Sequence, residues 1–267
     1  MKQTEYNLSL REIVFLASLS GADKIYGVQD DTYLMSEVEL KDEWSKIKRQ
    51  LQTKKFIEVE LDDSITINED IEELIRGCCY PDVFIRFIEK RGGQRVCGRN
   101  LYVAGNGLVE LIEDRLMKNN YVLRSASQIE TVIDDIRGMF NIEGNFDEDS
   151  IEGTFTLEEY KKLLELIEEE HTKPALEYIM NIGFHLEAAE DLLYSISEKI
   201  MYVSIMSIRI VDENPNNTTG FSIIHGKRYL WILEIDETGG VARMTFKTCN
   251  SHTAVNEAER YILKLGG

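Results

Sequence analysis

The strongest constraint on the fold of this chain is a pattern that occurs twice: several short strands followed by one amphipathic helix. In residues 81–140, apolar side chains recur with the two-residue period of a strand, and glycine-containing turns separate successive strands. Residues 201–267 repeat this order, with a Thr-Gly-Gly turn before the last strand and a helix after Ser251. The closing helices have apolar residues at helical spacing: Ile129, Val132, Ile133, Ile136 and Phe140 in the first copy, and Val255, Ala258, Ile262 and Leu265 in the second.

The segments before the two strand regions also correspond in element order. Ser9 with Glu12, and Thr156 with Glu159, have the spacing of a capping box, which marks the first turn of a helix. The sequence therefore predicts an α+β fold of two pseudo-symmetric halves, each with helices, an antiparallel sheet and a closing helix. Residue identity between the halves is poor, so the ordinary succession of helices and strands in one α+β domain is the alternative explanation.

Residues 141–154 are the best candidate for a boundary between these halves. The segment contains two glycines and five acidic residues, a composition typical of exposed linkers. We expect a first half at 1–140, an acidic linker at 141–154 and a second half at 155–267. One continuous domain with pseudo-twofold symmetry remains the alternative.

The first 80 residues have the element order of a winged helix: helix, short helix, helix and hairpin. In winged helices, the helix before the hairpin enters the major groove. Here that helix, predicted at 40–55, begins with Lys41, Asp42 and Glu43, and residues 1–80 contain 17 acidic against 10 basic side chains. Because non-specific DNA affinity comes mainly from cations on phosphates, we expect a winged-helix-like element that does not bind DNA. A transcriptional regulator with a ligand-sensing second half is the alternative.

Net charge and composition restrict the location and the partners of the chain. Its 30 basic and 48 acidic residues give a net charge of −18, which disfavours contact with nucleic acids and anionic membranes. The sequence contains no signal-peptide pattern and no apolar run of about 20 residues. Its four cysteines form neither a zinc spacing nor a disulfide framework. We expect a cytoplasmic protein that binds no nucleic acid and no membrane.

No residue pattern indicates an active site. The Gly105-Asn106-Gly107 segment precedes a strand rather than a helix, so it predicts a turn and not a phosphate-binding loop. Cys78 and Cys79 have no neighbouring histidine or base that would activate a thiol, and we expect them to be buried. We predict no catalytic residue, no cofactor, no metal and no enzymatic activity. The histidines are isolated from one another and are expected on the surface or in loops: His171, His185, His225 and His252.

Two strands, predicted at 201–211 and 229–235, are apolar on both faces and require cover on both sides. They carry residue types that are enriched at interfaces, which suggests an association surface. The alternative is that helices cover both faces and that these side chains belong to a core. The residues concerned are Tyr202, Met206, Tyr229 and Trp231.

Three segments resemble the EspG-like proteins, which are chaperones of ESX or type VII secretion systems. They are residues 44–56 (WSKIKRQLQTKKF), 67–75 (INEDIEELI) and 79–83 (CYPDV). They resemble the family pattern of a helix ending before a hairpin, a helix with paired aliphatic residues and a strand that begins after proline. By element order the resemblance extends over almost the whole chain. Because lysine and glutamate are abundant where actinobacterial members are rich in alanine and arginine, the chain resembles a distant, Firmicute-type member.

The resemblance implies a cytosolic chaperone or adaptor that binds a type VII secretion substrate and keeps it soluble. The implied client is a secreted helical protein or toxin of the LXG, WXG100 or PE–PPE type. The resemblance also implies that the first strand hairpin contacts the partner, although an exposed turn with no partner is the ordinary interpretation of such a segment. It leaves the oligomeric state open. The expected contact residues are Arg91, Gly92, Gly93, Gln94 and Arg95.

Overall fold

The structure of the protein, a computed structural model, describes residues 5–29, 32–91, 96–105, 107–126, 144, 146–147, 149–198, 201–238 and 241–265. Within these ranges it contains seven α-helices, twelve strands and a large antiparallel sheet, so the α+β prediction is confirmed. The chain divides into two compact units. The first comprises Met1–Phe84, Arg99–Ser127 and Ile210–Asn214, and the second comprises Ile85–Gly98, Gln128–Arg209 and Pro215–Gly267.

The first unit contains three α-helices, a 3-10 turn at Thr32–Leu34, a small hairpin and part of the large sheet. The elements in chain order are β1 (Glu5–Ser9), α1 (Leu10–Leu19), α2 (Glu37–Thr53), β2 (Ile57–Val59), β3 (Ile65–Ile67), α3 (Glu69–Cys79), β4 (Val83–Arg91), β5 (Cys97–Ala104), β6 (Gly107–Glu113) and β7 (Asn120–Ser125). In this unit the order of neighbouring strands is β1-β7-β6-β5. Strands β4 and β5 each have residues in both units.

Local sequence signals determine where the helices of the first unit begin. Helix α1 starts at the predicted capping box, in which Ser9 Oγ accepts a hydrogen bond from Glu12 N. Helix α2 begins three residues before its predicted start because Ser36 and Glu39 form a second capping box. The inward faces of α1 and α3 are buried and consist of apolar residues at helical spacing: Leu10, Ile13, Val14 and Ala17 in α1, and Ile71, Leu74, Ile75 and Cys78 in α3.

The second unit places four helices against its part of the sheet. Its elements are β8 (Glu152–Thr156), α4 (Leu157–Glu168), α5 (Thr172–Asn181), α6 (Leu186–Glu198), β9 (Met201–Val211), β10 (Asn214–His225), β11 (Leu230–Thr238), β12 (Val241–Cys249) and α7 (Ser251–Leu265). The strand order is β9-β10-β11-β12-β8. Strand β10 pairs antiparallel with β11, β11 with β12, and β12 with β8.

Aromatic side chains dominate the core of the second unit. Phe155 stacks on Phe184, and Phe184 meets Trp231 edge to face. A Cβ atom at Gly153 would lie 2.2 Å from the Phe184 ring, so only glycine permits this close packing. Tyr229 and Trp231 are fully buried in this core, whereas Tyr202 is only partly buried. For Tyr229 and Trp231 the interpretation as interface residues is therefore wrong, because both side chains belong to the core of the second unit.

Several elements differ from those expected from the sequence. Strands β1 and β8 were not expected, and β8 begins inside the segment predicted as a linker. The helix predicted at 127–140 lies outside the described residues. The duplication of halves and their boundaries at 140 and 155 stay predictions.

Candidate functional site

The predicted partner-contact hairpin lies mostly outside the described residues. Arg91 is the last residue of β4, and Cys97 is the first residue of β5. The expected contact residues Gly92, Gly93, Gln94 and Arg95 fall between the described ranges. The assignment of a partner site to this hairpin stays a prediction.

A cleft in the second unit is a concave surface that could receive a partner side chain. It has a volume of about 210 Å³ and lies among α4, α6, β9 and β10. Each of these elements contributes one or two of the lining residues. They are Tyr160, Ser195, Ile196, Tyr202, Ser204, Ser222 and Ile224.

The chemistry of the cleft is neutral, with hydroxyl groups and aliphatic side chains. The hydroxyls of Ser204 and Ser222, on adjacent strands, lie 2.6 Å apart, and Ser195 Oγ donates to the Asp191 carbonyl oxygen at 2.6 Å. Burial raises the pKa of Tyr160, so its phenol stays protonated near neutral pH. None of the seven lining residues carries a charge at pH 7. The cleft therefore suits aliphatic, hydroxyl or amide side chains rather than phosphates or carboxylates.

A buried carboxylate fixes one wall of the cleft. Asp191, on α6, accepts hydrogen bonds from the backbone N–H groups of Lys227 and Arg228, both at 2.8 Å. Its second oxygen accepts from Trp231 Nε1 at 2.8 Å. A Cβ atom at Gly226 would lie 2.0 Å from this carboxylate, so the turn between β10 and β11 can approach α6 only with glycine at that position. Asp191 thus holds the ends of two strands against the helix that provides Ser195 and Ile196.

Tyr202 was among the interface candidates in the sequence, but Asp191 and the other cleft residues were missed because their roles depend on contacts between distant elements. Asp191 and the turn it binds are separated by more than thirty residues, as its hydrogen bond to Lys227 shows. A local signal for the cleft does exist. Ser204 and Ser222 interrupt short apolar stretches of β9 (YVSIM) and β10 (FSII), and a partly buried serine there requires a hydrogen-bond partner.

The other candidate groups are consistent with structural roles. Burial raises the pKa of Cys78 well above its usual range and that of Cys79 to about 12, as expected for unreactive thiols. His185 is exposed and its Nδ1 accepts from Ala188 N in the first turn of α6. Among the described residues, no three His, Cys, Asp or Glu side chains are grouped closely enough to hold a metal ion.

No α-helix within the described ranges combines the length and the apolar character that a membrane crossing requires.

Comparison with known proteins gives a match in structure but not in sequence. No protein-family model matches the chain, and no curated protein matches it by sequence. Its fold is similar to that of EspG5, a chaperone of the Mycobacterium tuberculosis type VII secretion system, whose structure was solved in complex with a PE25–PPE41 dimer. The TM-score is 0.63, with 95% of this chain and 94% of EspG5 covered at 11% sequence identity. At this identity the likeness establishes the fold alone, and the chain has an EspG-like fold.

Proposed function

We propose that this protein is a cytoplasmic chaperone or adaptor that binds a type VII secretion substrate and keeps it soluble. The observation that carries the proposal is the similarity to EspG5 over nearly the whole length of both chains. A match of this extent includes both units, so it is not the likeness of one common submodule. The client we expect is a secreted helical protein or toxin of the LXG, WXG100 or PE–PPE class.

The surface chemistry supports a binding role without catalysis. A net charge of −18 keeps the free chaperone soluble and opposes its self-aggregation. The neutral cleft offers hydroxyl and aliphatic surface to an uncharged client side chain. We assign the cleft, together with the hairpin at Arg91–Arg95, to client contact.

The alternative, a DNA-binding regulator, is disfavoured by the charge at the start of α2. In the structure this helix begins at Glu37, and the exposed side chains of its first two turns include Glu37, Glu39 and Asp42. Carboxylates at the end of a helix that would enter the major groove repel phosphates. An electrophoretic mobility shift assay at low salt tests this: sequence-specific binding would favour the regulator.

Co-expression is the direct test of the chaperone proposal. Small helical proteins encoded beside a type VII secretion ATPase are expressed with and without this chain, and their soluble fraction is measured. We expect at least one candidate to be insoluble alone and to co-purify with the chain in a defined ratio. The proposal fails if every candidate is soluble alone and none co-elutes.

The first prediction concerns the cleft and uses Tyr202→Ala. Removing the phenol ring widens the cleft and takes away one hydroxyl, so we expect client affinity to fall about tenfold, measured by calorimetry. Tyr194→Ala is the matched control, because Tyr194 is also partly buried on the same unit but does not line the cleft. Equal affinities for the two variants would remove the cleft from the client site and leave the chaperone proposal standing.

A further inference from the structure

Two exposed apolar surfaces lie in the first unit, and the first precedes and opens α2. Tyr33, Leu34 and Val38, which we call the α2 patch, are 73%, 73% and 70% exposed. The capping box of Ser36 and Glu39 fixes this end of the helix, so the patch is not a frayed terminus. Adjacent large apolar side chains held in water mark interaction sites.

The second surface is the tip of the loop between β6 and β7. Leu116 is 94% exposed and Met117 is 58% exposed, and we call these two residues the loop tip. Asp114 Oδ1 accepts hydrogen bonds from the backbone N–H groups of both, at 2.7 and 3.0 Å. The Asn119 carbonyl accepts from Leu10 N at 2.8 Å, which joins the loop to α1. The loop tip is therefore preorganised, which lowers the entropic cost of inserting its apolar side chains into a partner.

The charges around these two surfaces are opposite. The α2 patch is next to Glu37 and Glu39, whereas the loop tip is flanked by Arg115 and Lys118. Helix α2 itself has the same asymmetry. Acidic residues predominate in its N-terminal half, although Lys41 pairs with Glu37 there, and basic residues predominate in its C-terminal half and just beyond its end. The acidic residues are Glu37, Glu39, Asp42 and Glu43, and the basic ones are Lys46, Lys48 and Arg49 in the helix and Lys54 and Lys55 after it.

The two surfaces cannot meet within one molecule because they lie towards opposite ends of α2. Lys54 Nζ, just beyond the C-terminal end of α2, bonds to the Asn7 carbonyl at 3.1 Å, and Asn7 is three residues before the Leu10 contact with the loop. Val38 is 16 residues before Lys54, which corresponds to about 24 Å along a helix. An antiparallel pair of α2 helices from two copies brings each loop tip towards the α2 patch of the other.

We propose that two copies of this chain associate through antiparallel α2 helices, with the loop tip of each copy on the α2 patch of the other. The contact is isologous, so each apolar and charged pairing occurs twice, as a twofold axis requires. The acidic half of each α2 faces the basic half of its partner. This proposal does not depend on the chaperone function. A membrane or an acidic protein would account for the basic residues that flank the loop tip but not for the acidic residues beside the α2 patch.

The apolar part of the proposal is tested with Leu116→Ser and Val38→Ser. Neither side chain packs in the unit, so thermal unfolding midpoints should equal that of the wild type. Sedimentation equilibrium of the full chain should give twice 30.8 kDa for the wild type and a dimer dissociation constant about tenfold higher or more for each variant. Leu263→Ser, at a 54% exposed position on α7 of the second unit, is the control and should leave the dimer unchanged. A monomeric wild type, or a dimer insensitive to Leu116→Ser, overturns the proposal.

The charged part is tested with a charge exchange. Glu37→Lys and Lys118→Glu should each weaken the dimer, because each places like charges at the contact. The double variant restores one attractive pair in each contact and should recover most of the lost affinity. If the double variant instead loses as much dimer affinity as the two single variants combined, the proposed pairing of these surfaces is wrong. The same result is expected if the dimer forms through another surface.

Discussion

Asp191 shows how one residue can organise the candidate site. It is buried, and its carboxylate accepts three hydrogen bonds of 2.8 Å, from two backbone amides and the Trp231 indole. Bonds to a charged acceptor are stronger than neutral ones, and buried donors left without an acceptor are costly. The interaction therefore determines the position of the β10–β11 turn relative to α6.

The second prediction follows from this arrangement. Asp191→Ala removes the acceptor of these three donors and of the Tyr229 backbone N–H at 3.4 Å, and should lower the free energy of unfolding by about 3 kcal/mol, measured by urea denaturation. Glu190→Ala, at an exposed position on the same helix, is the control and should change it by less than about 0.5 kcal/mol. Similar losses in the two variants would mean that the buried carboxylate contributes nothing beyond helix propensity.

A ladder of alternating charges in the first unit illustrates what sequence patterns do not reveal. Arg124 donates to Glu110 at 2.6 Å and to Glu5 at 2.8 Å, and Arg99 also pairs with Glu110. Glu5 and Glu110 lie directly opposite Arg124 in the β1–β7 and β6–β7 registers. The pairs depend on strand neighbours and register, neither of which is encoded in local spacing.

At the scale of elements, the capping boxes were the most dependable signals. Ser9 with Glu12 and Thr156 with Glu159 were predicted from spacing, and both cap helices in the structure. In each case an edge strand, β1 or β8, runs directly into the capped helix. Both strands were missed because five residues with only two buried side chains give too short an alternation to separate a strand from a loop.

The third prediction concerns the Thr156 capping box and pH. Hydrogen bonds from the Thr156 backbone and side chain hold the pKa of Glu159 below its ordinary value of 4.5. A lowered pKa in the folded state stabilises the protein above the ordinary pKa, and this contribution is lost as pH falls through the folded-state value. Glu159→Gln should therefore lower the thermal midpoint at pH 7, and the difference from wild type should shrink towards zero near pH 3.

Glu165→Gln is the control for this pH dependence, because Glu165 is exposed on the same helix and lies outside the capping box. Its difference from wild type should stay small at both pH values. A Glu159→Gln difference that is the same at pH 7 and pH 3 would rule out the carboxylate as the source of the capping contribution.

At the scale of the whole molecule, the sequence predicted the fold class and most elements of the EspG-like fold, while the predicted division into two halves stays a prediction. The two-residue period at the start of residues 81–140 depends on neighbours along the chain, and the strand it predicts is confirmed as β4. The two compact units of the structure depend on contacts between remote segments. Ile210 N, for example, donates to the Asp82 carbonyl at 2.9 Å, and the Glu213 carbonyl accepts from Lys24 and Tyr26.

This partition gives the last prediction, which concerns fragments cut within the predicted linker. A fragment of residues 1–147 contains most of the first unit but lacks its segment Ile210–Asn214. A fragment of residues 148–267 contains most of the second unit but lacks its segment Ile85–Gly98. The cut also separates the neighbouring strands β4 and β9, so each fragment has a strand edge with unpaired backbone N–H and C=O groups. We expect the separate fragments to be insoluble or to unfold without a cooperative transition, and the co-expressed pair to co-purify and melt cooperatively. A fragment of 148–267 that melts cooperatively alone would instead favour two halves that fold independently, divided at the acidic linker.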